Sequence, residues 1–245
     1  MIINNDIHFI TLNAQGLRDN NKRKRLFTWA KEQKVKILIL QETHFTEEIS
    51  YRLKNETPGW TQYHSYGKTH SCGCSIYISN LLNHEVINSI EDSKGRYVLV
   101  NVKIGRDAFS IVNIYAPNDQ RERITFFKKL QSVITDNCTG RLMVGGDFNE
   151  TLKQEDRVSK VQHTRKPVTS LRKLIDSNNL IDIWRHMNIK TQQFTWKRIN
   201  GNEKSRIDLW LIEKDIRTLT LSSDMRPAKI KHTDHLAVSL KLKKQ

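Results

Sequence analysis

The stretch IKHTDHLAVSLKL, residues 230–242, joins a polar cluster to an apolar strand, and the same arrangement recurs along the chain. From Leu236 onward, apolar and polar residues alternate as in a β-strand with one buried face. Directly before that strand lie His232, Asp234 and His235. Taken alone, this cluster fits a metal site, an acid–base pair, or the polar loop from which many strands start.

Short apolar segments rich in Ile and Val predict further strands. They cover residues 7–12, 36–40, 73–79, 97–104, 109–115, 141–145, 194–198, 206–212 and 236–242. Apolar residues at helical spacing predict three helices, over residues 21–33, 121–137 and 167–178. Helices between strands, together with a hairpin-like pair at 97–104 and 109–115, predict mixed sheets with outer helices, an α/β or α+β sandwich. No linker or repeat divides the sequence, so we expect a single domain over residues 1–245.

The charge balance is strongly basic, with 41 Lys and Arg against 26 Asp and Glu and a net charge of +15. Each phosphate that Lys or Arg neutralises releases a counterion, so this excess favours a nucleic acid partner. A polar N-terminal segment, three cysteines and the lack of a long apolar run predict an intracellular protein without disulfides or membrane spans. The run Lys22-Arg23-Lys24-Arg25 is either a nuclear localisation patch or the solvated face of the first helix.

Polar side chains stand at or near the ends of six predicted strands. They are Asn13, Glu42, Tyr115 with Asn118, Asp147 with Asn149, Asp208, and Asp234 with His235. Any one of them is explained by the turn propensity of Asn and Asp. Six together indicate loops that converge at one edge of a layered sheet and carry catalytic groups on a rigid scaffold.

The first members of this set suit metal-assisted cleavage of a phosphodiester. Glu42 is a hard oxygen ligand of the kind that Mg²⁺ prefers, and Asn13 could share the ligation or orient Glu42. Asp147 could activate a water while Asn149 donates to a phosphate oxygen. Tyr115 offers a hydroxyl to the developing charge.

His235 completes the chemistry, because its ordinary pKa lies near neutrality and a carboxylate such as Asp208 would fix its tautomer. A zinc site is not expected here. His232 and His235 would not share a face in an extended segment, and no cysteine has zinc-ligand spacing. A serine hydrolase is not expected either, since no nucleophile elbow is present.

Taken in chain order, the strings TLNAQGL, ILQETH, NIYAPN, GGDFNE, SRIDLWL and TDHLAV resemble the exonuclease III / DNase I-like phosphohydrolase superfamily. The sequence is most similar to the apurinic/apyrimidinic-type endonuclease domain of non-LTR, LINE-type retrotransposons, and the resemblance spans nearly the whole chain. It implies a four-layer α/β sandwich, in which two packed mixed sheets flanked by helices bring these loops to one edge.

The resemblance also implies a role for each matching residue. It places Asn13, Glu42 and Asp234 on the metal side, Asp147 and Asn149 at the attacking water and the phosphate, Tyr115 and Asn118 in the active site, and Asp208 as the partner of the catalytic His235. Family members often have Ser before the final Asp-His pair. Thr233 keeps that hydroxyl, so we expect the change to be tolerated.

The segment FTWKRINGNEKSRID, residues 194–208, predicts a hairpin around Asn200-Gly201. In the family this resembles, a hairpin at this position enters the DNA groove and shapes target choice. The candidate DNA contacts are Thr195, Trp196, Lys197, Arg198, Lys204, Ser205 and Arg206, with Arg157 and His44 outside the segment. Trp196 is either a wedge that stacks on DNA or a core residue of its strand.

The resemblance implies a Mg²⁺-dependent endonuclease, with Mn²⁺ as a substitute, that nicks one strand of double-stranded DNA and leaves 3′-OH and 5′-phosphate ends. The 3′-OH would then prime reverse transcription in the nucleus. A reverse transcriptase domain would lie in the same polyprotein, of which this chain would be the N-terminal domain, acting as a monomer without a membrane partner.

Two alternatives remain open at this point. One is an abasic-site repair endonuclease or exonuclease of the same superfamily. The other, from a different class, is a basic DNA-binding module without catalysis. Glu42 and Asp147 argue against the second, because carboxylates repel phosphate unless a metal ion is present.

Overall fold

A computed structural model describes residues 6–159, 168–199 and 201–244. Its strands are β1 (Asp6–Asn13), β2 (Ile37–Gln41), β3 (Trp60–Ser65), β4 (Cys74–Ser79), β5 (His84–Glu91), β6 (Tyr97–Ile104), β7 (Asp107–Tyr115), β8 (Arg141–Asp147), β9 (Arg157–Val158), β10 (Leu180–Asp182), β11 (Trp196–Lys197), β12 (Lys204–Ser205), β13 (Asp208–Glu213), β14 (Thr220–Arg226) and β15 (Ala237–Lys243). The α-helices are α1 (Asn20–Glu32), α2 (Ser50–Glu56), α3 (Gln120–Asn137), α4 (Thr169–Ser177) and α5 (Ile183–Met187). Short 3-10 helices cover Glu47–Ile49, Gln154–Asp156 and Lys214–Leu219.

The longer strands form two mixed sheets of six strands each. The first has the order β14-β15-β1-β2-β4-β3 and the second the order β10-β13-β8-β7-β6-β5. Within them, β1 with β2 and β7 with β8 are parallel, and the remaining pairs are antiparallel. A small third sheet has the order β11-β12-β9.

Four layers follow from where the apolar side chains are buried. Residues from both large sheets meet in one core, among them Phe9, Ile39, Val100, Ile111 and Trp210. Helices α1 and α2 pack on the outer face of the first sheet, and α3 and α4 on the outer face of the second. This confirms the predicted four-layer α/β sandwich of two packed mixed sheets flanked by helices.

The predicted strands are confirmed, with every end within two residues of its predicted position. The first two predicted helices match α1 and α3, and the third matches α4, although its predicted first residue, 167, lies outside the described residues. The strands that the prediction missed in the large sheets are β3, β5, β10 and β14, which are the four sheet edges. These edge strands are largely half-buried or exposed, so they lack a continuous apolar pattern.

The carboxyl ends of the parallel strands meet at one edge of the sandwich. Asn13 pairs in register with Gln41, and Tyr115 pairs with Asp147. Strand β13 begins at this edge, with Asp208 opposite Asp147. Gly146 has φ +139°, and a Cβ there would clash with the carbonyl group of residue 114, so a side chain at this position would displace the neighbouring strand.

The basic run at the start of α1 is partly used inside the molecule. The Lys22 Nζ donates hydrogen bonds to the carbonyl groups of residues 14, 15 and 232, at 2.7, 3.2 and 3.1 Å. Arg23 is buried and pairs with Glu56 at 2.6 Å. Lys22 and Arg23 therefore stabilise the fold, while Lys24 and Arg25 are exposed, so only part of the run is a solvated face. Of the helices in the described residues, none is long and apolar enough to span a membrane.

Candidate active site

A groove of about 590 Å³ opens where the strand ends converge. Five residues that line it are candidate catalytic or metal residues predicted from the sequence: Glu42, Asn118, Asp147, Asn149 and His235. The candidate DNA contacts Arg157, Trp196, Arg198 and Ser205 also line it, together with residues that were not predicted. The structure therefore brings the candidate catalytic residues and the candidate DNA contacts to one site.

Asn13 is fully buried and joins two carboxylates that line the groove. Its Nδ2 donates to Glu42 Oε1 and to Asp147 Oδ2, both at 2.9 Å. Its Oδ1 accepts the backbone N–H of Gln15 at 3.1 Å. Of the two predicted roles for Asn13, the geometry favours orienting Glu42, because the amide oxygen already has a partner.

Glu42 is held as a carboxylate. Burial alone would raise its pKa, but contacts with His44, Asn13 and Tyr115 outweigh burial and lower that pKa to about 2. His44 Nε2 lies 3.6 Å from Glu42 Oε2, so this predicted DNA contact sits beside the carboxylate. An anionic oxygen ligand of this kind suits a divalent cation.

Tyr115 stands next to Glu42 at the end of β7. Burial and then the charge of Glu42 raise the pKa of the Tyr115 hydroxyl above its ordinary range, so the phenol keeps its proton. The guanidinium of Arg96 lies 4.9 Å from the centre of the Tyr115 ring. Sequence reasoning missed Arg96, whose position in the string GRY gives no signal of this contact.

His235 and Asp208 form a buried pair. His235 Nδ1 lies 2.8 Å from Asp208 Oδ2 and 3.1 Å from Oδ1. Burial would lower the pKa of His235, but the charge and hydrogen bond of Asp208 outweigh it and raise that pKa to about 9. The imidazole is therefore protonated at neutral pH, with Nε2 free of Asp208, and the ring lines the groove. The pairing of these two residues was predicted from the sequence.

Asp147 is buried opposite Asp208. Burial, and then the negative charge of Asp208, raise the pKa of Asp147 to about 7. Its Oδ1 accepts the backbone N–H of Asn149 at 2.8 Å, and the side chain of Asn149 donates to the Ala116 carbonyl group at 2.8 Å. Asp147 is thus oriented by two hydrogen-bond donors, Asn13 Nδ2 and the N–H of Asn149. A carboxylate fixed in this way, with a pKa near neutrality, is suited to accept a proton.

Two sets of groups could hold a metal ion. Ligand atoms of Asp147, Asp208 and His235 fall within 4.8 Å of one another. Asp208 is already paired with His235, however, so we interpret these three residues as an acid–base group. Glu42, which is anionic and shares the Asn13 amide with Asp147, is the better fit for an oxygen-seeking divalent cation.

Asp234 lies beside His235, with its Oδ1 3.6 Å from His235 Nε2. Its Oδ2 accepts a hydrogen bond from Trp196 Nε1 at 2.9 Å. The described contacts place Asp234 against the histidine and the tryptophan. Its role as a metal ligand stays a prediction.

The hydroxyl at position 233 has a structural role. Thr233 Oγ1 donates to the carbonyl oxygen of Asn13 at 2.8 Å and accepts the N–H of His235 at 3.2 Å. The side chain of Gln15, which sequence reasoning missed, accepts the N–H of Asp234 at 3.1 Å. These bonds tie the loop of the histidine to the end of β1.

The small sheet β11-β12-β9, called here the hairpin wall, contributes residues to the lining of the groove. Lys197 and Arg198 are exposed on it, and Lys204 is partly exposed. Ser205 is buried but lines the groove, as does Arg157. The predicted turn residue Asn200 lies outside the described residues.

Two predicted DNA contacts are corrected by the structure. Arg206 is fully buried and bonds Asp156 at 2.9 and 2.7 Å and Asp182 at 2.5 Å, so its guanidinium has no surface to offer to DNA. Thr195 is also buried, and its Oγ1 accepts the backbone N–H groups of residues 207 and 208, both at 3.1 Å. Both residues fix the hairpin wall and the start of β13 rather than contact DNA.

Left-handed backbone conformations occur at residues that line the groove. Their φ angles are 45° at Gln15, 48° at Glu42 and 47° at Asn149, and His44 beside Glu42 has a φ of 56°. Such angles are uncommon outside glycine and persist where the surroundings enforce them. Here they turn the chain sharply at the ends of the strands and so present these side chains.

Comparison with known proteins agrees with this geometry. Residues 10–231 match the model of the endonuclease/exonuclease/phosphatase family. An uncharacterized 149 kDa protein of transposon TX1 from Xenopus laevis is 31% identical over 236 residues, which is 95% of this chain and 18% of that protein.

Solved structures show the same fold. An AP endonuclease from Leishmania major superposes with a TM-score of 0.83 at 18% identity, over 98% of this chain and 89% of that one. A 3′ phosphatase from Neisseria, bound to a product DNA hairpin, superposes with a TM-score of 0.79 at 17% identity, over 96% and 99% of the two chains.

Proposed function

Because the chain belongs to the endonuclease/exonuclease/phosphatase family, we propose that it is a divalent-metal-dependent DNA endonuclease that nicks one strand. It is a hydrolytic phosphodiesterase, and the finer proposal is that it leaves 3′-OH and 5′-phosphate ends. The observation that carries it is Asp147, a buried carboxylate with a pKa near 7, set between Asn13 and the His235–Asp208 pair. The basic hairpin wall lines the same groove.

The residues divide the chemistry among them. His235, kept protonated by Asp208, donates from Nε2 to a phosphate oxygen and so offsets the charge of the reacting group. Asp147 accepts the proton of the water that attacks phosphorus. The protonated Tyr115 hydroxyl donates a hydrogen bond to the charge that develops in the transition state.

Glu42, oriented by Asn13, would hold the cation, for which Mg²⁺ is proposed and Mn²⁺ as a substitute. When bound, the ion supplies positive charge to the phosphate. The hard oxygen of Glu42 supports this choice of metal.

We extend the proposal to the biological context. We propose that the nick supplies a 3′-OH that primes reverse transcription of an element's RNA, and the support is that the relative, of which this chain covers 18%, is a transposon protein. The remaining length of such a protein would supply the reverse transcriptase domain, with this chain as the N-terminal domain. The enzyme would act as a monomer on chromosomal double-stranded DNA in the nucleus.

A supercoiled plasmid tests the reaction. The proposal expects open circles in Mg²⁺ or Mn²⁺, none in EDTA, and complete resealing of the nicks by DNA ligase, which joins 3′-OH to 5′-phosphate ends. Nicks that ligase cannot seal would contradict the proposed ends. Binding in EDTA without cleavage in Mg²⁺ would instead support a DNA-binding module without catalysis.

A second substrate pair separates the proposal from repair of abasic sites. We expect an intact duplex and a duplex with one abasic site to be nicked at similar rates. A preference of several orders of magnitude for the abasic duplex would favour the repair enzyme.

A further inference from the structure

Strand β11 belongs to the hairpin wall and also pairs with the catalytic histidine. Trp196 pairs in register with Ser205 of β12, within the wall. Its main chain also forms an isolated antiparallel bridge with His235, and the N–H of Leu236 donates to the carbonyl oxygen of Thr195 at 2.7 Å. Movement of the wall is therefore transmitted to the backbone of His235.

The side chain of Trp196 adds a second link, to Asp234. Its indole Nε1 donates to Asp234 Oδ2 at 2.9 Å. The other oxygen, Oδ1, is buried and has no hydrogen-bond partner among the described residues. It stands 3.6 Å from His235 Nε2, beyond hydrogen-bond distance.

This arrangement matters because Nε2 is the only ring nitrogen left for the substrate. His235 Nδ1 is occupied by Asp208. A carboxylate free to rotate beside a protonated imidazole would close the remaining gap and form a charge-assisted hydrogen bond with Nε2. Nε2 would then no longer donate to the phosphate, and this loss weighs most on the transition state, in which the negative charge on the phosphate oxygens is greatest.

We propose that Trp196 is a positioning residue, whose indole N–H holds Asp234 so that His235 Nε2 stays available to the scissile phosphate. The inference rests on the proposed function, in which His235 donates to that phosphate. It also gives the hairpin wall a second role. Because the Trp196 ring lines the groove, DNA that touches the wall touches the residue that holds Asp234.

The substitution Trp196→Phe separates this role from stacking on DNA. Phenylalanine keeps an aromatic face toward the groove and removes only the N–H donor. We expect kcat to fall about ten-fold or more, the loss that follows from one hydrogen bond to a charged group. The KM, and the Kd for DNA in EDTA, should stay within about two-fold, because stacking strength changes little. An unchanged kcat, or a loss confined to KM and Kd, would overturn the proposal.

Trp210→Phe is the matched control. The Trp210 Nε1 also donates one hydrogen bond, to the carbonyl oxygen of Val238 at 3.1 Å, in the core between the sheets. This variant should unfold at a lower temperature and keep the wild-type kcat. An equal fall of kcat in both variants would show a general effect of stability and overturn the specific role of Trp196.

Two NMR measurements test the contact without any activity. In ¹⁵N-histidine-labelled protein, Trp196→Phe should shift the His235 Nε2 signal, as Asp234 forms the new hydrogen bond. In Asp234→Asn, which keeps Trp196 and so serves if the first variant unfolds, the Trp196 indole N–H signal should move upfield. Unmoved signals would overturn the proposal. Failure of the wild type to nick DNA would refute the proposed function, whereas these signals would still report on the Trp196 contact.

Discussion

Replacing Arg206 by methionine removes the centre of a buried ion cluster. The guanidinium is fully buried and makes three hydrogen bonds, two to Asp156 and one to Asp182. Arg185 remains beside Asp156, at 2.5 Å, so one carboxylate keeps a partner and the other loses its cation. Removing one partner of a buried pair costs about 3–5 kcal/mol, because the remaining charge stays buried without compensation. For a chain of this length, such a loss lowers the melting temperature by on the order of 10 °C.

Urea unfolding of Arg206→Met and of Lys204→Met measures this difference directly. Lys204 precedes Arg206 by two residues and is partly exposed on the hairpin wall, so its replacement should cost less than about 0.5 kcal/mol. The salt dependence of DNA binding should rank the two variants in the opposite order, with the larger effect in Lys204→Met. Lys204→Met should reduce the slope of log K against log salt by about 0.9, the value for one phosphate contact, while Arg206→Met should leave the slope unchanged.

A loss below about 1 kcal/mol in the free energy of unfolding of Arg206→Met would show that the buried ion cluster does not stabilise the fold as stated. A reduced salt slope for that variant, with unchanged stability, would restore the sequence-based prediction that Arg206 contacts DNA.

Three further predictions concern ionisable groups of the sandwich. The pKa of Asp147 is about 7 in the folded protein and 3.8 ordinarily, so the folded state binds the proton more tightly and the free energy of unfolding falls as the pH rises between these values. In urea unfolding at pH 8 in EDTA, Asp147→Asn should therefore be more stable than the wild type by on the order of a few kcal/mol. Equal stability of the two proteins would speak against the cost of the buried charge. Burial lowers the pKa of His8 from 6.5 to about 4, so its contribution, about 3 kcal/mol at most, is present above pH 6.5 and lost as the pH falls through 4. His8→Gln should flatten this part of the stability profile, and an unaltered profile would assign the slope to other groups. Glu42→Gln should raise the Mg²⁺ concentration for half-maximal nicking about ten-fold or more, since one anionic ligand is lost, and an unchanged metal titration would remove Glu42 from the cation site.

The interior of this fold was predictable, and its edges were not. Strands such as β1 and β2 are buried along almost their whole length, so burial leaves an apolar pattern in the sequence. Strands β5 and β14 have solvent on one side and carry polar residues, so no periodicity marks them. Helix α5 has only five residues, too few for a helical repeat to appear.

The candidate site shows the same division between local and long-range information. The polar residues of the site could be found because each lies at or next to an end of its own strand, as Asp147 does at the end of β8 and Asp208 at the start of β13. The partners of Arg206 lie 50 and 24 residues away in sequence, and no local pattern tells a buried arginine from one that contacts DNA. Trp196 was left between a wedge and a core residue, and the structure gives it a third contact, to Asp234.

We propose that the converging strand ends form one site for phosphodiester hydrolysis. Plasmid nicking by Asp147→Ala and His235→Ala, beside His232→Asn, tests it most directly. His232 is exposed with a left-handed φ that asparagine tolerates, so this neighbouring variant is a matched control. We predict that the first two variants lose about 10²- to 10⁴-fold in rate and that the control nicks like the wild type. Metal-dependent nicking that persists in Asp147→Ala or His235→Ala at nearly the wild-type rate would contradict the account.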